Sequence, residues 1–310
     1  MLVKFSHRPL FQMAGIVRFN YKAILFFVVW STLLYFIHTL THWSPIMSVV
    51  PVTILGGALA IFLGFRNNSA YDRWWEARKI WGGVVNISRS FGMEVNSLIQ
   101  SEDNPEGVEK IRRRLIYRHL AWINALRIQL RKQDSWDELK DLLPAEEFER
   151  LSAHRNKATQ LLHRQGTEIA VAHQKGWIND YQQIELNRCL TEMYDLQGKA
   201  ERIKGTVFPY YYQYFTRFFM RLFIVLLPMS LMEEMDWQVI PMSTLISFVF
   251  YILEKSGHVT EDPFENRASD TPMSAICTTI EIDLRQQLGE SEIPDTMVPE
   301  KTRFGVQFLP

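Results

Sequence analysis

The amino-acid sequence predicts an all-α membrane protein with four transmembrane helices and a large helical section in the cytoplasm. Two apolar stretches, 21–65 and 215–254, are each interrupted by a short polar turn, which predicts two membrane-spanning hairpins. The intervening stretch, 66–214, is charged and repeats apolar residues at helical spacing, so it predicts a soluble helical section. A mean hydropathy of −0.10 is too low for a chain lying mostly in a membrane, and it agrees with this division.

Composition and motifs limit the classes of function. Lysine plus arginine and aspartate plus glutamate are equal at 34 each, so we expect no nucleic-acid partner. Two cysteines, Cys189 and Cys277, give neither a disulfide framework nor a zinc motif. Phosphate-binding glycine loops, nucleophile elbows and zinc-protease motifs are absent from the sequence. We therefore expect no catalytic residues, no cofactor and no enzymatic activity.

The first hairpin follows a segment, 1–20, that mixes apolar and basic residues. This mixture predicts an N-terminal segment lying at the membrane interface, with a frayed terminus as the alternative. The second span, 46–65, carries no charge and is long enough for a hydrocarbon core of about 30 Å. It also contains Gly56, Gly57 and Gly64, which favour close helix packing or a narrow lumen over contact with lipid alone.

The charges flanking the spans predict the orientation. The connections 38–45 and 233–238 contain no lysine or arginine, whereas the opposite ends of the spans are basic. The positive-inside rule then puts both termini of this multi-pass protein in the cytoplasm. The last section, 255–310, predicts a helix that begins near Thr271-Pro272, followed by an extended tail.

One stripe of the second span is a candidate pore lining. Gly57, Ile61 and Phe65 are spaced i, i+4 and i+8, so they share a helix face. Facing a pore, they would form apolar rings of the kind that gate by dewetting. The spacing alone favours the alternative, in which this face packs on another helix. Arg66 would lie at the inner side of such a neck, and the segment after it, with Arg73 and Trp74, predicts an ordered bend.

An acidic segment after the fourth span is a candidate metal site. Glu261 and Asp262 follow Glu254 and His258 closely, and such groups could hold a hard cation. Calcium loops require oxygen ligands at stricter spacing and a turn glycine. A solvated acidic corner is therefore the preferred interpretation.

Several segments resemble the bestrophin ion channel family. The stretch 63–85 (LGFRNNSAYDRWWEARKIWGGVV) resembles the signature of bacterial bestrophin homologues. The segments 175–180 (KGWIND) and 190–193 (LTEM) look like the region of the family's second constriction. The segments 261–264 (EDPF) and 280–284 (IEIDL) look like the shared C-terminal part.

The resemblance implies a homopentamer around one central pore in the bacterial inner membrane, with lipids and permeant monovalent ions as its other partners. It implies that the second span lines the neck at Gly57, Ile61 and Phe65, which reverses the preference for ordinary packing. It also implies a cytosolic aperture, matched here by Ile178. Only two carboxylates, Glu261 and Asp262, stand where animal members carry a longer calcium-binding run, so we do not expect calcium activation.

The sign of the permeant ion does not follow from the resemblance, since animal members conduct anions and bacterial relatives are associated with monovalent cations. Glu233, Glu234 and Asp236 would surround the outer mouth without a basic residue, which favours cations such as sodium or potassium. The alternatives are a chloride or other anion channel of the same architecture, and a non-conducting membrane scaffold.

Overall fold

The structure is a computed structural model that describes residues 15–41, 45–207, 209–301 and 307–308. Most of the predicted N-terminal interfacial segment, 1–14, lies outside the described residues. The remainder, 15–19, is helical and ends in a turn at Asn20, directly before the first long helix.

The described part of the chain is helical, as the sequence predicts. The α-helices, numbered in chain order, are α1 (Tyr21–Leu40), α2 (Val49–Leu98), α3 (Pro105–Leu130), α4 (Ala145–Ser152), α5 (Lys157–Gln174), α6 (Asp180–Gly205), α7 (Tyr210–Met235), α8 (Val239–Thr260) and α9 (Met273–Gln287). Two 3-10 turns lie at Asp137–Leu139 and Asp236–Gln238. The extended structure is one antiparallel pair of two-residue strands, β1 (Glu300–Lys301) and β2 (Gln307–Phe308).

The second span continues without a break into the charged helical section that follows it, because α2 is a single helix of 50 residues. Pro51 lies in its first turn, where a missing backbone N–H costs no helical hydrogen bond. The ordered bend predicted after Arg66 does not form, and this prediction was wrong. The predicted boundaries after 65, 214 and 254 all fall inside helices, namely α2, α7 and α8.

Three helical stretches are long and apolar enough to cross a membrane: Tyr21–Leu40, Val49–Leu98 and Tyr210–Thr260. The third stretch contains both α7 and α8, which fold back on each other at Asp236, a residue with a positive φ of 46°. Phe223 of α7 and Phe250 of α8 contact each other with ring centroids 4.7 Å apart. The protein is therefore a membrane protein, and the prediction of four spans counts this hairpin as two.

Two hydrophobic cores hold the helices together. The smaller core joins α1, α2 and α7, and its buried members are Phe27, Val52, Leu59, Leu63, Met220, Phe223, Ile224 and Leu227. The larger core packs α3, α5, α6 and α9 around the second half of α2, with Trp81 and Trp122 fully buried in it. Among the described elements, α2 is thus the one that contributes to both cores.

A fully buried histidine lies in the larger core. His119 of α3 lies 5.2 Å from the rings of Phe91 and Trp122, centroid to centroid. Its Nε2 is 2.8 Å from the Ser88 hydroxyl oxygen, and that hydroxyl donates to the carbonyl of Val84. The histidine therefore acts as the donor to Ser88. Burial lowers the pKa of His119 to about 3, so the ring is neutral at physiological pH.

Candidate functional site

The neck stripe predicted on α2 is exposed in the single subunit. Ile61 and Phe65 are 63% and 65% exposed, and Gly57 of the same face is exposed too. The opposite face of α2 is buried against α7 and α8, and Leu59 and Leu63 are its largest apolar members. No helix in the described part of the chain covers the stripe, so packing within one subunit does not explain it.

The two adjacent glycines of α2 have opposite surroundings. A Cβ on Gly56 would lie 2.8 Å from the ring of Phe223, so this glycine permits the close approach of α7. A Cβ on Gly57 would meet nothing within 4 Å. Gly56 therefore serves packing between α2 and α7, whereas Gly57 leaves open space on the exposed stripe.

The exposed stripe is apolar toward the start of α2 and polar after Phe65. Val50 and Ile54 extend it in one direction and are 60% and 67% exposed. Asn68 and Asp72 continue it in the other direction and are also exposed. The stripe thus changes from apolar to polar where the charge-free run of the sequence ends.

Arg66 points away from this stripe into a buried ion cluster, which corrects the expectation that it lies at the inner side of the neck. Its guanidinium is fully buried, with Nη1 donating to Glu254 at 3.0 Å and Nη2 to Glu261 at 3.2 Å. The Nε of Arg217 donates to the same oxygen of Glu254, also at 3.0 Å. Two guanidinium groups therefore meet two carboxylates, and the cluster joins α2, α7 and α8.

The candidate metal ligands are part of this cluster or beside it. Glu261 is 3% exposed and also accepts hydrogen bonds from Gln213 and from His258, the latter at 2.8 Å. The Asp262 carboxylate is half exposed and lies 4.0 Å from Arg73. Because arginine already satisfies Glu261, the acidic segment is not arranged as a cation site, and no metal-binding group of three or more ligands occurs among the described residues.

Arg73 and Trp74 attach α2 to the end of α6 and to the loop before α9. Arg73 donates to the carbonyls of Ile203 and Thr206 at the carboxyl end of α6, the second at 2.7 Å. A cation suits a helix carboxyl end because the unpaired carbonyls there carry partial negative charge. Trp74 donates its indole N–H to the carbonyl of Ser269 at 2.8 Å.

Ile178, the predicted aperture residue, is only 4% exposed and lies in the larger hydrophobic core. Gly176, at a φ of 72°, ends α5 and turns the chain so that Trp177 donates to the carbonyl of Ala172. The exposed large apolar side chains nearby are Tyr181 and Ile184, at 82% and 61%. The aperture at Ile178 therefore stays a prediction.

The acidic turn between α7 and α8 is exposed. Glu233 and Glu234 lie at the surface without an ion pair in the described part of the chain. Asp236 accepts a hydrogen bond from the hydroxyl of Tyr35 at 3.2 Å, which attaches the turn to α1.

The longest helix of this membrane protein carries an exposed apolar stripe, and buried ion pairs hold its opposite face. These are features of a subunit of a helical membrane channel. The chain belongs to the bestrophin family: the family described as "Bacterial/Fungal Bestrophin protein" matches residues 8–286. The resemblance in the signature segments is thereby confirmed.

Relatives and solved structures agree with this assignment. The chain is 33% identical over 279 residues to the "Voltage-dependent anion channel-forming protein YneE" of Escherichia coli K12, covering 90% of this chain and 86% of that protein. The Salmonella typhi protein of the same name is 34% identical over the same length, with the same coverage. The crystal structure of a bacterial bestrophin homologue from Klebsiella pneumoniae matches with a TM-score of 0.79 and 29% identity, covering 87% of this chain and 98% of that one.

The sequence pattern did not reveal the partners of Arg66. Two signals pointed toward them, because Arg66 and Glu254 each end a long apolar run. Opposite charges that end neighbouring spans lie at the same level and tend to pair. The orientation of Arg66 away from the stripe follows from the helix period, since it lies one position after Phe65.

Proposed function

We propose that the protein is a homopentameric channel that conducts monovalent ions passively, with α2 of each subunit lining a neck at Gly57, Ile61 and Phe65. The observation that carries this proposal is the exposed apolar stripe on α2. A lumen-lining face must be free of partners within its own subunit, whereas the opposite face must be anchored. Helix α2 meets both conditions, because its other face packs on α7 and α8.

Five subunits are proposed from the family resemblance, and the shape of the single subunit supports assembly. Apolar stripes gate ions only where several copies form a ring narrow enough to dewet. One hairpin pair with one exposed stripe does not enclose a water-filled path. The chain is then expected in the bacterial inner membrane, with both termini and the section from α3 to α6 in the cytoplasm.

Anions are the first candidate for the permeant ion, because the relatives in Escherichia coli and Salmonella typhi are named as anion channel-forming proteins. These names speak against the preference for cations drawn from the acidic turn. Apolar neck rings select weakly by charge, so the sign depends on groups outside the neck. Since Arg66 is neutralised by Glu254 and Glu261, it adds no positive ring to the neck.

Monovalent cations are the second candidate, and one specific feature favours them. Glu233 and Glu234 are exposed and unpaired at the turn between α7 and α8, and Asp236 lies beside them. Carboxylates at a channel mouth raise the local concentration of cations.

A reversal potential decides between the two ions and tests conduction itself. The purified protein is incorporated in a planar bilayer under a tenfold KCl gradient, and the zero-current voltage is measured. A potential near the chloride equilibrium value supports an anion channel, and one near the potassium value supports a cation channel. Absence of current under any ionic condition contradicts the channel and leaves a non-conducting membrane scaffold.

The cytosolic aperture is proposed at the segment after α5, with Ile178 as the predicted residue and the exposed Tyr181 and Ile184 as the alternative. Alanine at the residue that forms the aperture, Ile178 or Ile184, should change the relative permeability of large and small ions of one sign, whereas alanine at an Ile178 that only packs in the core should mainly lower stability. Bi-ionic reversal potentials and thermal unfolding of the same two variants test this assignment.

A further inference from the structure

A pocket with a volume of about 280 Å³ lies on α7. It lies just before Leu222, where the uninterrupted apolar run of this helix begins. Its lining combines aromatic rings with two arginines and an amide: Tyr210, Gln213, Tyr214, Arg217, Phe218 and Arg221. Arg217 and Arg221 are spaced i, i+4, so they project from the same side of the helix. The basic groups therefore lie next to each other at the edge of an apolar surface.

No carboxylate in the described part of the chain compensates the charge of Arg221. The carboxylates of Glu254 and Glu261 are matched by the guanidinium groups of Arg66 and Arg217. Arg221 is exposed and forms no ion pair with any residue that the structure describes. The Nε of Arg217 donates to Glu254, and the Arg217 side chain is still about one third exposed. The surface thus presents positive charge with unused hydrogen-bond donors.

Further cations lie at the same end of the helices. Lys255 of α8 donates to the side-chain oxygen of Asn20 at 2.6 Å, and its ammonium lies 4.1 Å from the ring centroid of Phe19. No carboxylate lies within ion-pair distance of Lys255 among the described residues. Arg18 and Lys22, on either side of Asn20, are exposed as well. This layer of the protein therefore carries an excess of positive charge.

An exposed aromatic row runs along α7 beside the two arginines. The rings of Tyr210 and Tyr214 stack with centroids 6.0 Å apart, and those of Tyr214 and Phe218 with centroids 6.4 Å apart. These three side chains are 67%, 51% and 49% exposed. Leu222 extends the apolar surface by another turn. A ligand lying along this row needs a long apolar part.

We propose that Arg217 and Arg221, together with the aromatic row, bind a phospholipid with a net negative headgroup from the cytoplasmic leaflet. The guanidinium groups donate to the phosphate, an acyl chain lies along Phe218 and Leu222 toward the apolar end of α7, and Tyr214 lies beside the headgroup. Basic pockets beside membrane helices on the cytoplasmic side bind anionic headgroups in this way, and arginine suits the oxygens of a phosphate. The inference rests on the proposed membrane placement and orientation, but not on conduction.

Native mass spectrometry of the delipidated protein in a neutral detergent tests this site. Dioleoyl phosphatidylglycerol, dioleoyl phosphatidylethanolamine and inorganic phosphate are added separately. We expect tighter binding of phosphatidylglycerol than of phosphatidylethanolamine. Arg221→Gln should weaken phosphatidylglycerol binding about fivefold, the effect of one interfacial cation. Arg221→Lys should retain most of the binding, because it keeps the charge.

Arg150→Gln is the matched control, since this arginine is 71% exposed on α4 in the cytosolic section. Equal binding of the two phospholipids overturns the proposal, as does unchanged phosphatidylglycerol binding in Arg221→Gln. Displacement of phosphatidylglycerol by inorganic phosphate would assign the site to a free anion instead of a lipid. A change in subunit stoichiometry at constant lipid number would mean that a neighbouring subunit covers the surface. Because the readout is lipid mass, loss of lipid binding and loss of ionic current are distinguishable.

Discussion

Arg66 on α2 donates to Glu254 on α8 at 3.0 Å, across 188 residues of sequence, and neither side chain is more than 10% exposed. The contact fixes the rotation of α2 about its own axis, because Arg66 lies on the face opposite Ile61. Because Arg66 is buried in the interior of the subunit, Ile61 and Phe65 are exposed at its surface. Burying an ion pair costs desolvation free energy. The pair therefore suits a role in orienting α2 more than a role in net stability.

Replacement of Arg66 by methionine should lower the free energy of unfolding by about 3–5 kcal/mol, because Glu254 and Glu261 lose a buried cation. Arg89→Met on the same helix is the control, since Arg89 is half exposed and pairs with Asp283 at 2.8 Å. We expect that control to cost no more than about 1 kcal/mol. Thermal unfolding of the purified proteins in detergent measures both. Equal losses in the two variants would contradict a special role for the buried cluster.

Replacement of Ile61 by alanine should raise the single-channel current by about twofold or more, because a wider and less apolar ring dewets less readily. Leu245→Ala on α8 is the control, since Leu245 is 56% exposed but lies on another helix. Planar bilayer recordings at one salt concentration compare them. An unchanged current in Ile61→Ala, or the same increase in both variants, would refute the constriction at Ile61.

The two adjacent glycines of α2 should respond differently to isoleucine. Gly57→Ile should lower the current and leave the unfolding temperature near that of the wild type, because the added side chain enters open space. Gly56→Ile should lower the unfolding temperature instead, because its Cβ would meet Phe223 at 2.8 Å. Recordings and melting curves of both variants test this. The reverse pattern would mean that Gly57, and not Gly56, is the packing position.

His119 should make stability depend on pH below neutrality. The pKa of His119 is about 3 in the folded protein, against an ordinary value of 6.5 for an exposed histidine, so between these values the unfolded chain binds more protons. The contribution of the neutral His119 ring to the free energy of unfolding is fully present above pH 6.5, and it decreases as the pH is lowered. From pH 6.5 to 5 the loss is about 1.5 kcal/mol.

His119→Gln removes this titration and should flatten the pH dependence in that window, although it lowers stability at pH 7. Substitution of the exposed His163 by glutamine should leave the dependence as in the wild type. Thermal unfolding at pH 5, 6 and 7 provides the comparison. A slope that survives in His119→Gln would assign the pH dependence to other groups.

The helical class and the position of the apolar spans could be predicted, because length and charge-free composition are local properties of the chain. The neck stripe could be found from the helix period, but its exposure could not, since spacing does not tell which face a neighbour covers. The position of Arg66 was predicted wrongly because its partners, Glu254 and Glu261, lie 188 and 195 residues further along the sequence. For Ile178 the motif located the segment, but it could not reveal that the side chain is only 4% exposed in the single chain.

The unbroken course of α2 has a mechanical consequence. Fifty residues at 1.5 Å each make a rod about 75 Å long, with no proline or hinge after its first turn. A rod of this kind tilts as one body, so a small change at its carboxyl end displaces its amino end in proportion to the distance between them. In the proposed channel, substitutions near Val95 would therefore alter the diameter of the neck from a distance.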